Sequence, residues 1–165
     1  MKHLLKITLF FCMTISLAQT KLEMTPKGFA TIEIETPNRP INNLIELSKE
    51  WAPYYNTNGF DVFNVTENSL TIEAVNENAY FYRNLGVQYF YDIKYSLKIE
   101  FKENQKYTLL FTVKDIYMDA VEIKTTIPDF FTPEGKLKED FKDVKPSLEN
   151  TVNNIIKSYV NFIAR

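Results

Sequence analysis

Residues 87–118 read VQYFYDIKYSLKIEFKENQKYTLLFTVKDIYM, and their alternation decides the fold. Every second side chain from Tyr89 through Tyr91, Ile93, Tyr95, Leu97 and Ile99 to Phe101 is apolar or aromatic. Tyr107, Leu109, Phe111 and Val113 repeat the pattern after Lys102-Glu103-Asn104-Gln105. A period of two in both runs, joined by a short polar turn, is that of an antiparallel hairpin with one buried face. The opposite parity carries Asp92, Lys94, Lys98, Glu100, Thr108, Thr112 and Lys114, a face suited to water.

Upstream, Leu70 to Val75 and Phe60 to Thr66 alternate more briefly around Glu67-Asn68-Ser69, predicting a second hairpin. A connector spans Asn76 to Gly86. Phe29 to Glu35 predicts a first strand with Ala30, Ile32 and Ile34 on one face. After the break at Thr36 to Pro40, with Asn38 a good N-cap, Ile41, Leu44, Ile45, Ser48 and Trp51 share a helical face that Pro53 ends. A second helix follows Pro146, with a stripe of Leu148, Val152, Ile155, Ile156, Tyr159, Phe162 and Ile163 and with Glu149 in its first turn. The expected fold class is α+β, a single curved antiparallel five-stranded sheet with two helices on one face, in β-α-β4-α order. One domain covers 29–165, preceded by a polar lead-in at 19–28 and carrying a 26-residue loop at 120–145.

The element order, the Ser48-Lys49-Glu50-Trp51 end of the first helix, the Phe101-Lys102-Glu103-Asn104 turn into Lys106-Tyr107, and the Lys114-Asp115-Ile116 strand end resemble an exported Bacteroidetes family. That family is described as a domain of unknown function with a TBP-like fold. The resemblance runs from about Phe29 to Ile116 and implies a fold and an exported location, but no catalytic residues. Family members carry glycine where Asn104 sits, and asparagine also tolerates the left-handed conformation.

The first residues agree with export. Lys2 and Lys6 precede a mostly apolar run from Leu4 to Leu17, and Ser16-Leu17-Ala18 offers small residues before a cut, so residues 1–18 read as a signal peptide. The run is too short for a stable anchor, and the mature chain has no transmembrane segment. Cleavage would remove Cys12 and His3, the sole cysteine and histidine, and leave 147 of 165 residues. The expected location is the periplasm or the cell exterior.

A mature chain without histidine or cysteine has no Ser-His-Asp triad, no thiol nucleophile and no ordinary zinc site. Four scattered glycines make no phosphate-cradling loop. The 19 basic residues less the two leader lysines leave 17 against 21 acidic ones, a net charge of −4. With three arginines and a mixed-sign outer sheet face, the chain is expected to bind no nucleic acid, whatever a TBP-like fold suggests. No cofactor and no metal are expected. Glu33 and Glu35 lie about 7 Å apart on one strand face, a spacing open to glycoside chemistry or to a plain charged edge.

The candidate site residues are Tyr80, Phe81, Tyr82, Tyr91, Tyr95 and Asp115. The aromatic groups Tyr80 to Tyr82 and Tyr89 to Tyr91 are read either as a surface that grips a partner or as a closure for the open end of the core. Strand parity turns Asp115 inward, within reach of Tyr91 or Tyr95 as a polar anchor; a bulge there would hand the inward positions to Ile116 and Met118 instead. Phe29, Val75, Phe90 and Leu110 take the outward parity and would form a patch if they cluster. The 120–145 loop is a lid, a docking arm, or a surface loop whose Phe130, Phe131 and Phe141 tuck against the sheet. The leading expectation is an exported, non-enzymatic binding domain for a protein, glycan or small molecule. The alternative is a carrier of a lipid-like or aromatic ligand between sheet and last helix, and the third an enzyme using only Asp, Glu, Lys or Tyr.

Overall fold

The computed structural model describes residues 21–165; the expected signal peptide lies outside the described residues. The chain folds as β1 (Met24–Thr25), β2 (Gly28–Phe29), β3 (Ile32–Glu35), α1 (Ile41–Tyr55), β4 (Phe60–Phe63), β5 (Ser69–Asn84), β6 (Val87–Lys102), β7 (Lys106–Met118), β8 (Val121–Ile123) and α2 (Val144–Ile163). Antiparallel pairing gives a sheet in the order β3-β7-β6-β5-β4, with β8 also on β7 beyond the end of β3. The sheet therefore has six strands where the sequence predicts five. β1 and β2 form a separate two-stranded ribbon.

The period-two reading of the central hairpin holds. Ile93, Tyr95, Leu97, Ile99, Phe101, Tyr107, Leu109 and Phe111 are all buried, and β6 and β7 pair from Lys102↔Lys106 to Asp92↔Tyr117. The left-handed residue in the turn is Gln105, with φ 60°, rather than Asn104. Both helices cover the inward face. Trp51 is fully buried, edge-on to Tyr159 at 5.3 Å and stacked on Tyr55 at 5.2 Å. Burying aromatic rings of this size contributes about 4–6 kcal/mol each of transfer free energy. The polar atoms that come with them are paired: Ser48 Oγ lies 2.8 Å from Tyr159 Oη, and Trp51 Nε1 donates to Ser158 Oγ at 3.2 Å.

Several boundaries differ from the expectation, each for a local reason. The polar lead-in belongs to the core. Leu22 and Met24 are buried, and α2 holds their backbone through Asn153, which both accepts from and donates to Leu22 at 2.9 Å, and through buried Glu149, which accepts from Met24 N at 2.8 Å. Phe29 turns inward because the β1–β2 ribbon, not the sheet, sets its direction; its ring meets Phe111 at 5.8 Å. Helix α1 starts after Pro40, without a side-chain cap from Asn38, and runs two residues past Pro53. The expected connector at 76–86 is the second half of β5. The loop at 120–145 is built from β8, two 3₁₀ turns (Ile127–Phe130 and Glu139–Phe141) and the start of α2, with Phe130 and Phe131 buried.

Candidate functional site

Asn84-Leu85-Gly86-Val87 closes β5 and β6 with a two-residue turn, Leu85 at φ 48° and Gly86 at φ 82°. Positive φ at both central residues is the turn that suits the twist of a hairpin. Glycine takes it freely; leucine does not. The strands below the turn pair as Tyr82↔Tyr89 and Tyr80↔Tyr91, then shift register between Asn76 and Tyr80. Two extra β5 residues form this bulge, where Asn78 (φ 51°) donates its N–H to Asp92 Oδ1 at 2.8 Å.

Above the bulge the hairpin becomes an arm. β7 pairs with β6 only from Asp92 onward, so among the described residues no strand pairs with Val87 to Tyr91 on that side. On the other side α2 covers β5: Thr151 Oγ1 donates to Ala79 O at 2.6 Å, and Phe81 N donates to Ser147 Oγ at 3.4 Å. The arm is thus fastened along one edge and open along the other.

The sequence-predicted aromatics divide between the two faces of this arm. Tyr80 is buried, stacked on half-buried Tyr91 at 4.9 Å and edge-on to Phe130 at 5.9 Å. Tyr82 packs on Phe141 at 5.8 Å, itself 5.0 Å from Phe130. Tyr80, Tyr82 and Tyr91 therefore close the end of the core beneath the long loop. Burial pushes the hydroxyls of Tyr80 and Tyr91 upward, well away from general-base use. Phe81 stands on the outer face, 6.3 Å from Phe90, with the Arg83 guanidinium 5.6 Å over its ring.

Tyr95 and Asp115 do not join this group or each other. Tyr95 lies deep under α1, where its hydroxyl donates to Asn56 Oδ1 at 2.6 Å, and desolvation raises its pKa. Asp115 faces outward. β7 carries one extra residue there, so Tyr95 pairs with Val113 but Lys94 with Asp115, and Ile116 takes the buried position. An odd bulge reverses side-chain parity, so the inward reading of Asp115 falls and the alternative of a bulge that hands the inward position to Ile116 holds. Lys94 instead forms an ion pair with Glu73 at 3.1 Å. At the other end of the sheet Glu33 accepts from Lys102 and Lys106, each at 2.7 Å, and these bonds hold its carboxyl down to about 2. Glu33 is thus a clamp between β3 and the β6–β7 turn, on a charged edge. Among the described residues no three His, Cys, Asp or Glu side chains converge to hold a metal ion.

Of the exposed remainder of the arm, Tyr89 and Phe90 belong to the aromatic group read from the sequence as a gripping surface or a closure, whereas Leu85 and Val87 are not singled out by that reading. Leu85 is 97% exposed, Val87 53%, Phe90 50% and Tyr89 42%. Beside them an open groove of about 430 Å³ is lined by Glu77, Asn78, Gln88, Tyr89, Phe90, Asp92, Met118 and Asp119. Of the four residues of outward parity, only Phe90 belongs to this patch; Val75 and Leu110 pair across to Lys94 and Lys98. The sequence signal for the arm is Gly86 between two alternating runs, the mark of a tight hairpin.

A TBP-like protein from Parabacteroides distasonis matches this architecture with a TM-score of 0.56 at 17% identity, over 81% of this chain and 90% of that one. The fold is TBP-like. A DUF4468 family protein from Bacteroides ovatus matches with a TM-score of 0.53 at 11% identity, over 81% of this chain and 80% of that one. These are Bacteroidetes proteins, in line with the resemblance carried by the turn and strand-end motifs. At such identities the likeness carries the fold alone. No family model and no curated protein matches the sequence.

Proposed function

We propose that the chain is an exported, non-enzymatic interaction domain that docks a protein partner through the arm formed by β5 and β6. One observation carries this reading: Leu85 at the tip, Val87 and Tyr89 on one face and Phe90 on the other are exposed apolar side chains around the open edge of a hairpin whose other edge α2 anchors. Exposed apolar patches on soluble domains mark contact surfaces, and aromatic residues dominate such contacts. The interior offers less to a carrier, since Trp51, Tyr95, Leu97 and Tyr159 are packed without exposure between sheet and helices. Catalysis finds no convergent acid–base pair, because Tyr95 is bonded to Asn56 and Asp115 faces the lysine side of the sheet. Export rests on the charged, apolar and small-residue segments of the first 18 residues.

The test places a photo-crosslinking amino acid at Tyr89, and separately at Lys98 on the outer sheet face, in cells of the source bacterium. A discrete adduct from position 89 in the envelope fraction, with none from position 98, supports the reading. Equal labelling from both positions, or recovery of the chain in the cytoplasm, overturns it. A small mass retained in native mass spectrometry and lost on denaturation would point to the carrier instead.

A further inference from the structure

Among the described residues the other edges of the large sheet are short, charged or, for β5 beyond Ala74, covered by α2. β4 has four residues and carries Asp61, β3 carries Glu33 and Glu35, and β8 is three residues long with Glu122. Short length and charge are the usual protections against edge-to-edge pairing. The edge of β6 at Val87–Tyr91 is also short, but it carries no charged residue, no proline and no bulge. Because a two-residue turn closes on a hydrogen-bonded pair, Val87, Tyr89 and Tyr91 direct their backbone groups to β5. Gln88 and Phe90 direct theirs to the open side.

We infer that this edge pairs with the same edge of a second copy, antiparallel about a two-fold axis through Gln88. The inference rests on the arm being a docking surface and names its partner. In this register Gln88 exchanges both backbone hydrogen bonds with its counterpart, and Tyr89 of each copy lies opposite Val87 of the other, an aromatic to β-branched pair of the kind that stabilises ladders. Gly86 comes opposite Phe90 and Leu85 opposite Tyr91, so the tip of each copy lies along the apolar side chains of the other copy's edge. Residues 84–91 are uncharged, so two net-negative chains meet there without placing like charges together. The exposed parts of Leu85, Val87, Tyr89 and Phe90 set an upper bound on the order of 450 Å² per copy, or roughly 900 Å² across the axis, so the contact is at most a weak, reversible dimer.

The experiment is sedimentation equilibrium on the purified exported chain from about 1 to about 500 µM, with Gln88→Pro and Leu85→Asn alongside. Gln88→Pro removes an N–H that the chain's own ladder does not use; Leu85→Asn keeps the turn and removes the tip. The expected result is a micromolar dimer whose Kd rises about tenfold or more in each variant, with unchanged circular dichroism. Gln88→Cys in the exported chain, which has no cysteine of its own once residues 1–18 are removed, should cross-link to itself with a short bismaleimide, while Lys98→Cys should not. A chain that stays monomeric throughout the range, or a dimer indifferent to both variants, overturns the pairing. The docking reading fails separately, since an adduct from Tyr89 at a mass other than twice the chain keeps the arm as a contact surface and removes only the second copy.

Discussion

Replacing Leu85 by asparagine is expected to make the dilute monomer more stable. Leu85 sits at φ 48° with 97% of its surface exposed. The left-handed conformation costs an ordinary side chain roughly 1–2 kcal/mol, of which asparagine, by hydrogen bonding locally, recovers part. The packing lost is close to zero, because the 3% of leucine surface that is covered amounts to a few Å² at about 25 cal/mol per Å². The net gain is about 0.5–1 kcal/mol, or a melting point higher by roughly 1–4 °C for a domain of this size. The assay is thermal and urea unfolding at micromolar concentration or below, where self-pairing is absent. Repeating it at high concentration adds a second reading, since association stabilises the wild-type chain by mass action and should shrink or reverse the advantage of Leu85→Asn. A lower midpoint for the variant in dilute solution would refute the reasoning, for it would mean that Leu85 packs against its own chain.

Two further outcomes follow from buried and clamped groups elsewhere. Tyr95→Phe should cost about 1–3 kcal/mol in urea melts, because it leaves the buried Asn56 Oδ1 without its 2.6 Å donor; a neutral result would mean that water reaches Asn56. Glu33 has a carboxyl pKa lowered from 4.5 to about 2 by its bonds to Lys102 and Lys106. A depressed folded-state pKa gives stability that is present above pH 4.5 and lost as pH falls toward 2. Glu33→Gln should therefore flatten the stability profile in that window; an unchanged acid limb would assign the loss to other carboxylates.

The legibility of this chain depends on whether a bulge is even or odd. Alternation places Ile93, Tyr95, Leu97, Ile99, Phe101, Tyr107, Leu109 and Phe111 on the inward face, and all are buried. It fails at Asp115 because Lys114 is a single extra residue, and one insertion turns every later side chain over. Nothing in Val113-Lys114-Asp115-Ile116 fixes the position of that insertion except the apolar demand of Ile116. The helices were legible from their stripes, yet Ser48 reads as a mere small residue until Tyr159 meets it at 2.8 Å. The polar lead-in hid a period-two pair, Leu22 and Met24, too short to count as a strand and held in place by α2, more than 120 residues away. For the site, aromatic crowding at 80–91 pointed to the right hairpin, but composition alone could not divide it into a core face and an exposed face.

The bulge in β5 makes that division. It inserts two residues opposite one step of β6, so parity is preserved: Ile93 and Tyr91 both face inward, and so do Ala74 and Tyr80 across from the helices. An even insertion keeps the inward parity from the core into the arm while increasing the local twist. Tyr80 and Tyr82 then remain on the row that Phe130 and Phe141 cap, which anchors the base of the arm. The same continuity puts the open edge of β6 past the last residue of its β7 ladder, with Asp92 holding the bulge through Asn78 N. The arm is therefore rigid at its base and unpaired at its edge. A chain selected only for stability has no use for leucine in a left-handed, fully exposed tip at the end of such an arm. Its presence there, where asparagine or glycine would serve the turn better, is the strongest physical sign that the tip is made to be covered.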